Sequence, residues 1–196
     1  MFVAIILLIL LAGIFLGFQT KDFTFSFSGE IIHWILILFV LLIGIDLGLM
    51  ESKMERIRQS WKFGSVIAIG TVFGSMFAGL LIHFSMNIPL ILAISVAAGM
   101  GWYSLTGPFL AKTFGAFAGA LGFTSNFLRE VFTFILYPKL RDKTAGISIG
   151  GATTMDTTLP LIARLSGSEN ALIAFIHGFF ISILIPVLLT LLSASA

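Results

Sequence analysis

The chain contains no cysteine and few charged residues, and each shortage excludes some classes of protein or site. Without cysteine, disulfides, thiolate metal sites and thiol catalysis are excluded from its 196 residues. Only 10% of the residues are Asp, Glu, Lys or Arg, whereas 58% are hydrophobic. Soluble domains are about one quarter charged and about half apolar, so the composition predicts an integral membrane protein. The formal net charge of +2 is too small to indicate nucleic acid binding.

Enzyme signatures are missing as well. The sequence has no His-Glu-x-x-His, Gly-x-Ser-x-Gly or P-loop motif. Its histidines, His33, His83 and His177, are too dispersed to predict a metal site. Asp46 and Asp156 leave an intramembrane aspartyl enzyme open, but no flanking residues favour it over transport. We therefore expect no enzyme, no metal and no cofactor.

Hydrophobic runs predict one all-α membrane domain, 1–196, built as a polytopic helical bundle. A crossing takes about 20 apolar residues, and the first run lacks the basic start and cleavage site of a signal peptide. The predicted segments are 1–18, 31–50, 64–84, 88–107, 109–123, 124–138, 147–164 and 170–192. One of the three segments between 88 and 138 can be re-entrant, and 147–164 can either cross or dip and return.

Basic residues concentrate in two stretches, 51–63 and 139–146. Loops on the cytoplasmic side are enriched in Lys and Arg, so we expect both stretches to be cytoplasmic loops. The N-terminus is then cytoplasmic too, because two predicted spans precede 51–63. An odd number of crossings must lie between residues 88 and 138.

The most informative polar stretch is Gly-Gly-Ala-Thr-Thr-Met-Asp-Thr-Thr-Leu-Pro, residues 150–160. A carboxylate at bilayer depth costs about 2.5–3.5 kcal/mol on insertion scales, so Asp156 is a candidate functional residue. The Thr153 and Thr157 hydroxyls can donate to it or to carbonyls freed by the glycine pair. Desolvation favours the protonated acid, which suits an exchange of protons for a cationic ligand. The alternative is a hydrogen bond or ion pair that only holds the bundle together.

A second run, 99–108, has the same glycine-to-proline spacing as 151–160. Each is polar within an apolar segment, and paired interrupted helices are typical of transporters with inverted repeats. We expect broken or re-entrant helices at both places, with inverted repeats as one interpretation. The expected helix-breaking residues are Gly99, Gly101, Pro108, Gly150, Gly151 and Pro160.

Charges next to Asn126 extend the candidate site. Asn126 and Glu130 are four residues apart and share a helix face, whereas Arg129 is turned about 100° away. Arg129 can neutralise Asp156, or Glu130 can join Asp156 in binding a cation. The alternative places both Arg129 and Glu130 near a membrane face.

Further candidates lie in other apolar segments. Asp46 can act as a second intramembrane acid or be solvated at the interface. His177 can relay protons or hydrogen-bond between helices. Trp102 and Tyr103, beside the hydroxyl of Ser104, can form an aromatic wall for a cation or anchor the chain at the interface.

Several of these features resemble one known family. In chain order they are 99–107, Asn126 with Arg129-Glu130, 150–160, and His177-Gly178-Phe179. They resemble the LysO family of lysine exporters over about residue 31 to the C-terminus. The resemblance implies export of L-lysine across the inner membrane, with Asp156 in the family's most specific motif. It also implies a homo-oligomer or a small separate membrane subunit, because longer members carry an additional N-terminal membrane section.

The chemistry of lysine agrees with these residues. Asp156 can hold an ammonium group, and Arg129 or a helix N-terminus can hold the carboxylate. Expelling a cation against an inside-negative potential costs about 2.3 kcal/mol per charge per 100 mV. Exchange for an incoming proton offsets that cost, so we predict lysine–proton antiport. The alternative is a non-transporting membrane subunit whose charges serve assembly with a partner.

Overall fold

The computed structural model describes residues 53–194 and scattered helical positions between 8 and 45. The chain divides into two compact units, Met1–Asp46 and Leu47–Ala196. Much of the predicted segments 1–18 and 31–50, with Asp46, lies outside the described residues. Most of the described residues belong to the second unit.

The described part of the second unit is all-α. In chain order its elements are α1 (Lys53–Met86), α2 (Leu90–Ala98), α3 (Tyr103–Phe114), α4 (Ala116–Leu136), a 3₁₀ turn (Tyr137–Lys139), α5 (Lys143–Gly146), two further 3₁₀ turns (Ile147–Ile149 and Gly151–Met155) and α6 (Leu159–Ser193). The helix α6 is interrupted at Gly167, whose φ of 80° and ψ of 175° are not helical.

The first helix, α1, is long enough to cross a membrane and continue beyond it. Its 34 residues rise about 51 Å, against a hydrocarbon core of about 30 Å. Within Ile57–Met86, an 18-residue window reaches a mean hydropathy of 2.1. Large side chains such as Phe73 and Phe84 are exposed on it, as expected of a lipid-facing surface.

The loop predicted at 51–63 is wrong over residues 53–63, which belong to α1. No glycine or proline interrupts that stretch, and Gln59 donates a hydrogen bond to Glu55 one turn earlier. The charged residues therefore extend the helix into water instead of ending it. Below, the two ends of the bundle are called the Lys53 end and the Met86 end after the termini of α1.

The helices α2 and α3 form a re-entrant hairpin that enters and leaves at the Met86 end. The helix α2 runs back along α1, where Gly79 packs directly on the α2 backbone. The first residue of α3, Tyr103, packs beside the middle of α4, where its ring lies edge-on against Phe127. The helix α3 ends near the start of α4, where Ala111 touches Gly119. The α2–α3 hairpin therefore does not cross.

Between residues 88 and 138, only α4 runs from one end of the bundle to the other. Its 21 residues rise about 32 Å, close to the thickness of a hydrocarbon core. The predicted segments 88–107, 109–123 and 124–138 are wrong in their boundaries. The chain reverses at Gly115, whose φ is 92°, and the predicted break between 123 and 124 lies inside α4.

Pro108 does not break a helix, contrary to the prediction. It lies inside α3, and its ring is exposed on the helix surface. Pro160 occupies the first turn of α6, where the missing N–H has no intrahelical partner to lose. Pro160 therefore begins a helix instead of ending one.

Residues 147–166 form a second re-entrant segment, which enters from the Lys53 end. Asp142, just before it, lines a cavity with Phe63 near that end of α1. The segment reaches the middle of the bundle and returns, so that Ser166 Oγ meets Tyr137 Oη at 2.6 Å. The chain turns at Gly167, and the rest of α6 crosses toward the Met86 end. The predicted segment 147–164 therefore dips and returns.

The two re-entrant segments cross in the middle of the bundle, backbone against backbone. The Ala152 N–H donates to the Met100 carbonyl at 2.8 Å. Gly101 and Gly151 have φ values of 98° and 62°, a region that glycine adopts without strain. A Cβ on Gly151 would lie 1.9 Å from Met100 O, and one on Gly101 would lie 2.8 Å from Gly150 O. The glycine breaks are thus where the segments touch.

We predict that Gly151→Ala destabilises the protein strongly. The new methyl group would collide with Met100 O and the residue would keep a strained φ, so we expect the melting temperature in detergent to fall by about 5 °C or more. Gly70→Ala is the matched control, because a Cβ there meets nothing within 4 Å. Equal melting temperatures for the two variants would contradict the crossing.

The re-entrant arrangement also predicts which residues share a membrane side. Because the chain has no cysteine, single cysteines can be placed at exposed Arg141 and Lys112. A membrane-impermeant thiol reagent applied to vesicles of defined orientation should label Arg141→Cys and Lys112→Cys from opposite sides. Labelling of both from the same side would refute the single crossing of α4.

Candidate functional site

The crossing of the two re-entrant segments borders a cavity of about 140 Å³. About 10–15 Å³ of such space holds one water, so the cavity has room for a small organic group. Both re-entrant segments, α4 and α6 contribute to its wall. The lining residues are Gly101, Trp102, Tyr103, Ser104, Glu130, Ala152, Thr153, Met155, Asp156, Thr157 and Ser182.

Two carboxyl groups line this cavity, Glu130 from α4 and Asp156 from the second re-entrant segment. They are close enough to interact electrostatically. The hydroxyls of Tyr103 and Thr157 lie beside the Glu130 carboxyl group. Its Oε2 atom is nevertheless buried and has no hydrogen-bond partner in the described part of the chain. None of the described lining residues is basic, so the cavity suits a cation.

The second re-entrant segment holds Asp156 through its own threonines. The backbone N–H and the hydroxyl of Thr157 both donate to Asp156 Oδ1. Thr153 donates to the Gly150 carbonyl at 2.9 Å, and so satisfies a backbone group that the broken helix leaves open. The threonines therefore support both the carboxylate and the backbone around it.

Aromatic side chains flank the carboxyl pair. Trp102 and Tyr103 line the cavity, and the Tyr103 ring is fixed edge-on against Phe123 and Phe127 at centroid distances of 5.4 and 5.6 Å. An aromatic face near a cation stabilises it by about 0.5–2 kcal/mol. Ser104 is exposed at the rim of the cavity.

Asn126 holds the first re-entrant segment and does not line the acidic cavity. Its Oδ1 accepts from the Gly101 N–H at 2.7 Å, and its Nδ2 donates to the carbonyls of Val96 and Gly122 at 3.0 and 2.9 Å. All three partners are backbone groups, and Val96 and Gly101 lie at or next to the break after α2, whereas Gly122 lies one turn earlier on α4. The structure therefore places Asn126 as a support of the break.

Arg129 does not pair with Asp156, which was one of its two expected roles. It donates to Ser75 Oγ at 2.9 Å and to the carbonyls of Ser148 and Ile149 at 3.0 and 2.8 Å. It lines other cavities, on the far side of the crossing. Its neighbour Glu130 instead shares the cavity of Asp156, as the second expectation had it.

His177 is fully buried between two threonines. Its Nε2 lies 2.9 Å from Thr71 Oγ1 on α1, and its Nδ1 lies 2.8 Å from Thr154 Oγ1 on the second re-entrant segment. Next to it, a Cβ on Gly178 would lie 2.6 Å from the Met155 backbone nitrogen. The structure thus shows the interhelical hydrogen bonds that were the alternative to a proton relay.

Sequence reasoning missed Ser182 and Ser75 and left Tyr103 as a general aromatic residue. Ser182 follows Gly178 by one helical turn and so lies on the same face of α6, which was a usable signal. Ser75 belongs to a row of small residues on α1 that is ordinarily explained by close helix packing.

The chain also matches known proteins. The family model of the lysine exporter LysO matches residues 7–193. The chain belongs to the LysO family. It is 34% identical over 167 residues to the lysine exporter LysO of Escherichia coli K12. The aligned residues are 84% of this chain and 56% of that protein. The chain is 28% identical over 187 residues, 93% of each chain, to a Haemophilus influenzae protein provisionally named a lysine exporter.

This LysO-family chain therefore spans little more than half the length of its E. coli relative. No solved structure matches it. The all-α membrane fold and the family membership agree with the sequence-based expectations.

We predict that Asn126→Ala destabilises the non-helical stretch that follows α2. The substitution leaves the Gly101 N–H and the Val96 carbonyl without their partner, which should lower protection of residues 96–102 from hydrogen exchange by roughly tenfold or more. Hydrogen exchange measured by mass spectrometry tests this. Thr124→Ala, at an exposed position nearby on α4, is the control and should exchange like the wild type. Unchanged exchange in Asn126→Ala would show that the amide does not hold the break.

Proposed function

We propose that this LysO-family chain exports L-lysine from the cytoplasm by exchanging it for protons at Glu130 and Asp156. The observation that carries the proposal is the cavity at the crossing, where two carboxyl groups meet and no described lining residue is basic. The names of the two relatives support lysine as the cation.

A lysine ammonium group matches the chemistry of this cavity. An ammonium has three N–H donors and no acceptor. Glu130 Oε2 offers a buried acceptor that has no partner among the described residues, and Asp156 offers a second carboxylate. Trp102 and Tyr103 add aromatic faces beside them. Charge-assisted hydrogen bonds of this kind contribute about 1.5–3 kcal/mol each.

Proton exchange follows from the pairing of the two acids. Two carboxylates that share one site favour binding of a proton or a cation, because the doubly charged form is repulsive. When lysine leaves, a proton can take its place and keep the cavity near neutrality. An inward proton gradient then offsets the cost of moving a cation outward, about 2.3 kcal/mol per charge per 100 mV.

The same proposal sets the orientation in the inner membrane. The Lys53 end, with residues 139–146, carries most of the described basic residues and would face the cytoplasm. The C-terminal end of α6 would then face outward. We also expect the chain to act as a homo-oligomer or with a small separate membrane subunit.

The test is efflux of preloaded labelled lysine from proteoliposomes under an imposed pH gradient. We expect proton-driven efflux in the wild type and a loss of roughly tenfold or more in Asp156→Asn and in Glu130→Gln, since each removes a charged acceptor. Asp142→Asn and Glu55→Gln are isosteric controls at exposed positions and should transport like the wild type.

Three outcomes separate the alternatives. Equal efflux in all variants would make both acids structural and refute the proposed site. Normal efflux that ignores the pH gradient would refute antiport but keep export. Reduced amounts of Asp156→Asn in the membrane, with no wild-type flux, would support a non-transporting subunit whose charges serve assembly.

A further inference from the structure

We infer that Arg129 forms a carboxylate-binding subsite on the side of the crossing opposite the two acids. The inference rests on the proposed function and extends it, since it assigns a place to the second charged group of an amino acid. The chemical class of ligand is an α-amino acid with its carboxylate ionised.

Two cavities meet at Arg129. One has about 590 Å³ and lies between α1, α4 and the turn at 147–149, and the other has about 150 Å³ and lies between α1, α2 and α4. Ser75, Ala78, Ser125 and Arg129 line both cavities. The larger one has room for a whole amino acid.

The charge of Arg129 has no carboxylate beside it in the described residues. Its hydrogen bonds go to one hydroxyl and two carbonyls, which are neutral. A partly buried cation among neutral acceptors is stabilised further by an anion. A guanidinium has five N–H donors, and the three protein acceptors leave donors for a ligand.

Hydroxyl donors surround the same position. Ser75 Oγ accepts from Arg129, so its own proton is available to a ligand. The Ser125 hydroxyl also borders both cavities. Guanidinium and hydroxyl donors without an acid form the complement of a carboxylate, which arginine can bind through two parallel hydrogen bonds.

The two subsites lie back to back. Arg129 and Glu130 are consecutive on α4, so their side chains leave the helix about 100° apart. A Cβ on Gly151 would lie 3.3 Å from Arg129 Nε, which places the guanidinium directly behind the crossing. Only the backbone of the crossing separates a donor site for a carboxylate from an acceptor site for an ammonium.

The test compares L-lysine with L-lysinamide, which replaces the carboxylate by a neutral amide. Dissociation constants are measured by calorimetry on the purified full chain in lipid nanodiscs. We expect the wild type to prefer lysine by roughly tenfold or more, and Arg129→Gln to lose that preference. Ser75→Ala should lose part of it. Arg141→Gln, at an exposed arginine, is the control and should keep it.

Glu130→Gln distinguishes this inference from the proposed function. It should lower proton-driven lysine efflux, and should leave the ratio of the lysine and lysinamide affinities unchanged because Glu130 does not line the cavities at Arg129. Equal affinities of the wild type for both ligands, or an unchanged ratio in Arg129→Gln, would overturn the carboxylate subsite while leaving the export proposal intact. Binding of neither ligand by the wild type would overturn both. If Arg129→Gln fails to fold, Ser75→Ala and Ser125→Ala decide, since a ratio unchanged in both contradicts the subsite.

Discussion

The hydrogen bond from Ala152 N to Met100 O is the constraint on which the rest of the second unit depends. It joins the tips of two re-entrant segments that enter from opposite ends, and it forms only because Gly101 and Gly151 have no side chains in the contact. Backbone that leaves a helix at this depth must find partners inside the protein. Asn126 satisfies one tip and Thr153 the other, so side chains of the protein hold the crossing.

The crossing also separates charges that adjoin in sequence. Arg129 and Glu130 occupy one turn of α4, yet the crossing lies between their side-chain positions. Arg129 holds the 147–149 turn through its carbonyls, whereas Glu130 shares a cavity with Asp156. A direct ion pair between neighbours would have cancelled both charges. Because the two side chains are separated, the charge of each remains available to a ligand or to a backbone group.

The sequence predicts several residues that the structure brings to one cavity, but it predicts the helix boundaries less well. Isolated charges and glycine pairs in apolar segments are costly and therefore informative, which is why Asp156, Glu130, Gly101 and Gly151 were found. The boundaries at 53–63 and at Gly115 failed for physical reasons. Charged residues at helical spacing extend α1 into water as readily as they form a loop, and a single glycine does not reveal whether a chain kinks or reverses. The sequence did not decide whether residues 147–164 cross the membrane or return. The answer depends on contacts between residues distant in sequence, such as Ser166 with Tyr137.

The placement of the acids bears on how a cation could be released as well as bound. A site that fully compensated an ammonium with fixed carboxylates would hold it too tightly for transport. Asp156 receives two hydrogen bonds from Thr157, and the hydroxyl of Tyr103 lies beside Glu130. These neutral donors stabilise the carboxylates when the cation is absent, and a proton on either acid removes the remaining repulsion. Stabilisation of the empty site by neutral donors is thus what the proposed exchange requires for turnover.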